Sequence, residues 1–419
     1  MSLKDLFLDV LHTLWSHKLR TFLTMFGISW GIVSIVLMVA AGEGFRVGQK
    51  RQQETFAKDL MIVFAGRTSL QAGGTKAGRR IRYEVEDVTY VTENAPACKN
   101  VMPELGQDDI TVRSAFNNGR PTVAGSYPEF GEIRSVDVAE GRFYNWQDVN
   151  EKRRVAFLGS DIAKQLFPQG GAIGRFVYLN NIPYLVIGLM RDKKQDSSYD
   201  GWDVNKVFVP FTVMVEDFPN KPPALPKSID RLLVTPQSVP QHESCKLQLR
   251  AALARLHQYD PADKEAAGIW DTIEEAKAFQ QMTDGMKYFL GAVGVTTLFL
   301  GGLGVMNVML VAVRERTREI GVRKAVGAPA ASILRQFFLE TVIIVFLSGG
   351  TGLGVAFGLC ALVNLAPMPP FFAGFLATWT TGLTAVGLLG TVAILAALYP
   401  ASKAASIDPI EALRYEAGG

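Results

Sequence analysis

Three long stretches of this 419-residue chain contain no Asp, Glu, Lys, Arg or His, and they limit the possible folds more than any other feature of the sequence. They cover residues 22–42, 288–313 and 341–402. Each is at least as long as the roughly 20 apolar residues that a helix needs to cross a bilayer. The third stretch is too long for one crossing and is interrupted by Pro367-Met-Pro-Pro-Phe-Phe372, which a helix in lipid does not easily continue through. The sequence therefore predicts four transmembrane helices.

A highly charged segment, 314–340, separates the second and third predicted helices. Short loops rich in Lys and Arg stay on the cytoplasmic side of a membrane. This loop has such an excess, in Arg314, Arg316, Arg318, Arg323, Lys324 and Arg335. Basic residues also precede the first helix and follow the last, whereas the loop 367–378 has none. Both termini are therefore predicted to be cytoplasmic, and the long segment between the first two helices extracytoplasmic, because long domains translocate largely regardless of charge.

The composition agrees with a plasma (inner) membrane protein that also carries a polar domain. The chain is 48% hydrophobic and 20% charged, too polar for a membrane bundle throughout and too apolar for a soluble protein. A net charge of +3 gives no reason to expect a nucleic-acid partner. The first apolar stretch and the segment before it are both too long for a cleaved signal peptide, so we interpret it as an uncleaved signal anchor.

Residues 1–20 have an amphipathic helical pattern of their own. Apolar residues recur at helical spacing, at Leu3, Leu6, Phe7, Val10, Leu11 and Leu14. Lys4, Asp5, Asp9 and His12 lie on the opposite side. Such a helix can lie in the membrane interface with its apolar face toward the lipid, or it can pack against another helix of the bundle.

The four predicted helices carry small residues rather than charges. An ionisable side chain inside a membrane is costly and usually marks an ion path, so its absence argues against an ion-coupled carrier. Glycines occur at four-residue intervals, at Gly27 and Gly31 in the first helix and at Gly350, Gly354 and Gly358 in the third. Such faces let helix backbones approach closely. They could form the seam of a dimer or pack the four helices of one protomer.

The segment between the first two helices predicts a large α+β domain. Strands are expected near 60–64, 100–105, 154–158, 175–179, 184–190 and 229–234 from their apolar and β-branched content. Helices are expected near 84–94, 160–167 and 242–258, and helical stalks at 43–59 and 271–287. We interpret this pattern as two α/β halves with an inserted β-rich subdomain at about 108–222. Cys98 and Cys245 could form a disulfide in this domain or remain two thiols, and Cys360 is expected to be a packing residue.

The motifs of the sequence favour a protein without enzyme activity. The sequence contains no GxxxxGK[ST] phosphate-binding loop, so no ATP site of that type is expected in the chain. The four histidines have no metal-ligand spacing. We therefore expect no cofactor, metal or catalytic residue in this chain.

Several motifs resemble the FtsX-like permeases of ABC transporters, and among them the MacB type. The resemblance is carried by Lys18-Leu-Arg-Thr-Phe-Leu-Thr-Met-Phe-Gly-Ile28, Arg154-Val-Ala-Phe-Leu-Gly159, Tyr184-Leu-Val-Ile-Gly188, Arg314-Glu-Arg-Thr-Arg-Glu-Ile-Gly-Val-Arg-Lys-Ala-Val-Gly-Ala328 and Tyr399-Pro-Ala-Ser-Lys-Ala-Ala-Ser-Ile-Asp-Pro-Ile-Glu-Ala-Leu-Arg-Tyr415. The segment from Arg314 to Ala328 is the most specific of these, and the resemblance covers nearly the whole chain. The family fold of four transmembrane helices with a large inserted extracytoplasmic domain is the one that hydropathy and charge predict.

The resemblance implies partners and a mechanism. It implies a homodimer, a cytoplasmic ABC ATPase that binds the ATP, and a periplasmic adaptor (membrane fusion protein) in bacteria with two membranes. MacB carries its ATPase fused at the N-terminus, whereas this sequence starts directly with the amphipathic pattern of residues 1–20. A separate ATPase subunit is therefore expected here. Closure of the ATPase would move the 314–340 loop and so the extracytoplasmic domain, driving efflux of a drug, peptide or other substrate by mechanotransmission. The alternatives are an FtsX-like signalling scaffold that controls an external enzyme, and a permease that extracts lipoproteins.

The 314–340 loop is the predicted coupling element. Glu315 precedes Arg318 and Glu319 precedes Arg323 at helical spacing, which supports a short helix, and Gly327 is expected to end it. We predict Ile320 to be the apolar anchor for a groove on the ATPase, unless it only rests on the membrane surface. The resemblance assigns the coupling role to Arg316, Glu319, Ile320, Val322, Arg323, Lys324 and Gly327.

The predicted organisation follows from these patterns. The ranges are an interfacial helix 1–20, transmembrane helices 21–42, 286–313, 341–366 and 379–400, an extracytoplasmic domain 43–285, a coupling loop 314–340, an outer loop 367–378 and a cytoplasmic tail 401–419.

Overall fold

The fold is known from a computed structural model, which describes residues 18–57, 59–71, 76–193, 195, 198–220 and 224–414. Most of the amphipathic helix predicted for 1–20 lies outside the described residues. The chain forms two compact units, a globular unit of Lys50–Phe279 and a helical unit made of the segments Met1–Gln49 and Gln280–Gly419.

The described helices are α1 (Lys18–Phe56), α2 (Val85–Asn94), α3 (Phe130–Ile133), α4 (Trp146–Asn150), α5 (Ser160–Leu166), α6 (Phe211–Asp217), α7 (His242–Leu256), α8 (Thr272–Glu315), α9 (Thr317–Ala325), α10 (Ala330–Val363), α11 (Trp379–Ala405) and α12 (Pro409–Arg414). The strands are β1 (Met61–Ala65), β2 (Tyr83–Glu84), β3 (Cys98–Gln107), β4 (Val112–Arg113), β5 (Asn118–Gly119), β6 (Val123–Ser126), β7 (Val138–Gly141), β8 (Val155–Leu158), β9 (Phe176–Leu179), β10 (Ile182–Met190), β11 (Val207–Pro210), β12 (Ser228–Ile229), β13 (Arg231–Pro236) and β14 (Ala267–Asp271).

Four of the described helices, α1, α8, α10 and α11, are long and apolar enough to cross a membrane. Two of them extend beyond the uncharged stretches of the sequence. Helix α1 continues past residue 42 to Phe56, and α8 begins at Thr272, well before residue 288. The stalks expected at 43–59 and 271–287 are thus continuous with the first two spans. The family resemblance and these helices together describe a multi-pass membrane protein.

The globular unit is built on one mixed sheet with the strand order β14-β1-β13-β3-β6-β11-β8-β10-β9-β4-β5. Its first four strands are antiparallel neighbours, and α2 and α7 pack together on this part of the sheet. The two predicted α/β halves therefore share one layer of strands. The sheet continues into the inserted segment where β3 pairs with β6, at Leu105 opposite Gly125.

Strand patterns in the inserted segment follow the sequence closely. Burial alternates along β10, as expected for a strand with one face toward the core. Asn180 and Asn181 form the tight β9–β10 turn with positive φ values of 43° and 72°, which Asn tolerates better than most residues. Helix α5 and strand β9 lie between β8 and β10 in the chain, and β10 pairs with β8 in parallel. The short helices α3, α4 and α6 also lie in this segment, which is therefore less purely β than the sequence predicts.

A disulfide joins Cys98, at the start of β3, to Cys245 in α7. Both residues are buried in the main core of the globular unit. The sequence leaves the pairing open, and the structure resolves it in favour of the disulfide. Cys360 is a free, buried cysteine in α10, as its predicted packing role requires.

Candidate coupling site

Helix α9 occupies the charged loop between the second and third spans. It follows α8 after a break at Arg316, and it ends just before Gly327, whose φ is +97°. The Gly327 N–H donates to the Lys324 carbonyl (3.0 Å) and the Ala328 N–H donates to the Arg323 carbonyl (3.0 Å). This pair of bonds is a Schellman motif, in which a left-handed glycine satisfies the last carbonyls of a helix. The sequence pattern thus locates the end of the helix correctly.

One face of α9 is turned into the helical unit. Ile320 is only 2% exposed and belongs to the apolar core of that unit. A Cβ added at Gly321 would lie 2.6 Å from the Ala412 Cβ, so α9 lies directly on α12 there. The exposed anchor predicted at Ile320 is therefore wrong. Thr317, Ile320 and Lys324 share this face, and α12 and the ends of the spans lie against it.

Lys324 joins α9 to the end of the fourth span. Its ammonium group donates to the carbonyl of Ala405 (2.9 Å) and to that of Ile407 (2.6 Å). The last carbonyls of a helix have no partner within the helix and carry partial negative charge. Lys324 therefore caps α11 and ties α9 to it.

A chain of polar contacts joins α9 to the third span. Arg316 lies 3.4 Å from Glu340, and Gln336 donates to the other oxygen of Glu340 at 3.1 Å. Arg323 donates to Gln336 (2.8 Å) and pairs with Glu319 (2.5 Å). Glu340 is 5% exposed, and a buried charge with a partner on another element makes separation of the two elements costly. The family motif does not include Glu340 and Gln336. The sequence feature that could have indicated Glu340 is its position as the last charged residue before the third apolar stretch.

The opposite face of α9 is apolar and exposed. Val322 is 47% exposed and Val326, just past the helix, is 85% exposed, and Arg318 is an exposed neighbour one turn before Val322. Val322 and Val326 form a small exposed apolar surface next to the charged side chain of Arg318. We call Arg318, Val322 and Val326 the outer face of α9. The sequence assigns Val322 to coupling but not Val326.

The packing glycines fall into two groups. A Cβ added at Gly31 would lie 3.2 Å from Leu298 Cα, and one at Gly27 would lie 3.8 Å from Gly301 Cα, so both glycines face α8. No described residue lies within 4 Å of a Cβ added at Gly350, Gly354 or Gly358. Those three line an open face of α10. The close approaches of α10 are instead made by Gly349 against Leu389 and by Gly352 against Ser29.

The globular unit holds a buried network of charges around Tyr199. Tyr199 donates to Glu104 at 2.8 Å, and Arg231 stacks on its ring at 4.7 Å. Burial and then the charge of Asp200 raise the pKa of Glu104 to about 7. Burial acts in the same direction on Asp203, but Arg134, Lys206 and Lys193 outweigh it and lower the Asp203 pKa to about 2. Across the described residues, no group of three or more His, Cys, Asp or Glu is placed to hold a metal ion.

Comparison with known proteins places the chain in a family. Residues 21–251 match the model of the MacB-like periplasmic core domain, and residues 291–409 match that of the FtsX-like permease C-terminal region. The chain is 32% identical over 411 residues to the macrolide export ATP-binding/permease protein MacB of Shewanella sp. (strain ANA-3), covering 96% of this chain and 59% of that protein. It is 27% identical over 417 residues to the ABC transporter permease YknZ of Bacillus subtilis (strain 168), covering 99% of this chain and 100% of that protein.

The periplasmic region of MacB from Actinobacillus actinomycetemcomitans aligns with 54% of this chain and 94% of that structure, at 16% identity and a TM-score of 0.41. The chain spans about 60% of the length of the curated MacB relatives that it matches. Both matched models lie where the sequence motifs of the spans and of the inserted domain predict them. The chain belongs to the MacB-like family of FtsX-like ABC transporter permeases.

Proposed function

We propose that this chain is the permease subunit of an ABC transporter of the mechanotransmission type. ATP is hydrolysed by an ATPase that we expect to be a separate cytoplasmic chain, and this chain converts the hydrolysis into movement of the globular unit outside the membrane. That movement drives efflux of a drug, peptide or other substrate. The export function named for the MacB relatives supports this proposal.

The observation that carries the proposal is the two-sided character of α9. Its inner face is tied to the third span through Arg316 and Glu340, and to the fourth through Lys324. Its outer face exposes Val322 and Val326. If a partner bound to the outer face moves α9, the third and fourth spans move with it, because the contacts of Arg316 and Lys324 would otherwise have to break.

The apolar character of the spans supports the same mechanism. No charged residue lies within 22–42, 288–313 or 341–402, and a path for polar substrate through the bilayer would need such groups or a hydrated channel. A permease that acts by moving a domain located outside the bilayer needs neither charged groups nor a hydrated channel. We further propose a homodimer whose seam includes the open glycine face of α10, and a periplasmic adaptor where the host has a second membrane.

The test is a double substitution on the outer face, Val322→Asp with Val326→Asp. Two carboxylates at this face would have to be desolvated in the contact with the ATPase. We expect the affinity for the co-expressed ATPase to fall by about tenfold or more, as for residues at the centre of an interface. Pull-down from detergent, followed by titration of the purified subunits, measures this change.

Val239→Asp is the matched control, since Val239 is 43% exposed and lies in the globular unit. It should leave ATPase binding unchanged. If the double variant folds and binds the ATPase as tightly as the control, the outer face of α9 is not the docking surface, and the proposed input of the mechanism fails.

A further inference from the structure

The loop between the third and fourth spans is bonded to the first span helix. The Ala373 N–H donates to the Gly44 carbonyl (3.0 Å), and the Leu376 N–H donates to the Ala40 carbonyl (3.1 Å). Both carbonyls belong to α1, and a carbonyl has two lone pairs, so each can accept these bonds in addition to its helical one. Backbone bonds between a loop and the side of a helix require a very close approach.

Two glycines of α1 make this approach possible. A Cβ added at Gly44 would lie 1.7 Å from the Gly374 carbonyl oxygen, and one added at Gly48 would lie 2.4 Å from that of Phe371. Both contacts are with backbone, which cannot move aside as a side chain could. Any residue other than glycine at these positions must therefore displace the loop.

The loop is also held by its own prolines and hydrogen bonds. Pro367, Pro369 and Pro370 restrict its backbone, and the Phe372 N–H closes a turn onto the Pro369 carbonyl (3.0 Å). Asn364, at the end of α10, both donates to and accepts from the backbone of Phe375, at 3.0 and 2.8 Å. The ring of Phe45 on α1 packs against those of Phe371 and Phe372, with centroid distances of 6.3 and 4.7 Å.

We propose that these contacts form a clasp that transmits movement of the third and fourth spans to α1. The clasp consists of loop residues 371–376 and of Ala40, Gly44, Phe45 and Gly48. The fourth span is bonded to α9 at one end through Lys324 and begins just after the clasp at the other. Helix α1 continues from the clasp to Phe56. Force applied at α9 then reaches the stalk of α1 through the clasp as well as through the apolar contacts between spans.

This inference rests on the proposed function, because a clasp has a role only if the spans move in response to ATP. The experiment uses the full chain in nanodiscs with its ATPase. Gly44→Leu opens the clasp by steric clash. Gly285→Leu is the matched control, because Gly285 is an exposed glycine of α8 with no described atom within 4 Å of an added Cβ. Hydrogen exchange is measured with and without ATP and vanadate, together with ATP hydrolysis.

In Gly44→Leu, the amides of Ala373 and Leu376 should exchange about tenfold faster or more, since they lose their bonds to α1. ATP hydrolysis should persist, while the nucleotide-dependent change in exchange of residues 50–279 is lost. The control should resemble the wild type in all three measurements. Because a leucine at Gly44 could prevent assembly, Phe45→Ala with Phe372→Ala provides a second opened clasp without a clash.

Two outcomes would overturn the inference in different ways. If the wild type shows no nucleotide-dependent change in the globular unit, the proposed function itself fails and the clasp fails with it. If the wild type shows the change and both opened variants retain it, despite faster exchange of the loop amides, the mechanism stands and the clasp does not transmit the movement.

Discussion

The carboxyl group of Glu104 is buried in the globular unit close to a second carboxyl group, that of Asp200. Burial, followed by this like charge, raises its pKa from 4.5 to about 7. Between these values the folded chain holds a proton that the unfolded chain has released. The stabilisation is therefore complete below about pH 4.5 and is lost as the pH rises through about 7.

We therefore predict that the globular unit becomes less stable as the pH rises from about 4.5 to about 7, by up to about 3 kcal/mol. Glu104→Gln should flatten this dependence, because the amide has no proton to lose. Urea unfolding of the full chain, followed by near-ultraviolet circular dichroism, measures both. Asp203 has a pKa lowered to about 2, so its protonation destabilises the fold only below about pH 4. Equal slopes for the variant and the wild type would assign the dependence to other groups.

Single residues of the coupling site also show what the sequence can and cannot predict. The pattern of 314–340 predicts a helix, its end at Gly327 and the pair of Glu319 with Arg323, because these depend on contacts within a few residues. It does not predict which side of the helix is covered. Ile320 is buried because α12 and the spans lie against it, and Val326 is exposed because no described element covers it. Both facts depend on residues up to about ninety positions away.

At the scale of elements, a disulfide joins helix α7 covalently to the start of β3. The bond between Cys98 and Cys245 closes a loop of 147 residues, and cross-links that close long loops restrict the unfolded chain most. We predict that Cys98→Ala with Cys245→Ala lowers the free energy of unfolding of the globular unit by about 2–5 kcal/mol. Reduction with a thiol reagent should give a similar loss.

The control is Cys360→Ala, because Cys360 is a free thiol in α10. It should leave the urea midpoint of the globular unit unchanged, as measured by near-ultraviolet circular dichroism. An unchanged midpoint in the double variant would show that packing alone holds α7 on the sheet.

At the scale of elements, the sequence predicts the longer strands and helices to within a few residues, because alternation and helical spacing are local. Strand β10 and helix α2 are examples, expected near 184–190 and 84–94 and found at Ile182–Met190 and Val85–Asn94. Helices α3 and α4 are too short to show a period. The order of strands is also beyond local patterns, since β3 pairs with β13 through contacts more than about 120 residues apart in the chain.

For the whole molecule, the distribution of basic residues predicts that the globular unit lies outside the cytoplasm and that α9 lies inside it. In a Cys360→Ala background, a cysteine at Glu93 in the globular unit should react with a membrane-impermeant thiol reagent in intact cells. A cysteine at Ala330, beside α9, should react only after the membrane is permeabilised. Both positions are exposed to solvent, so burial does not decide the result. The reverse pattern would invert the orientation and remove the cytoplasmic role proposed for α9.

The charge-free spans have an electrical consequence. An elementary charge that crosses a membrane gains or loses about 2.3 kcal/mol for each 100 mV of potential. The apolar stretches 22–42, 288–313 and 341–402 contain no such charge, so their side chains do no electrical work when the helices tilt or slide. In the proposed cycle, these side chains therefore carry no charge through the membrane voltage, and loss of that voltage with ATP maintained removes no driving force that acts on them.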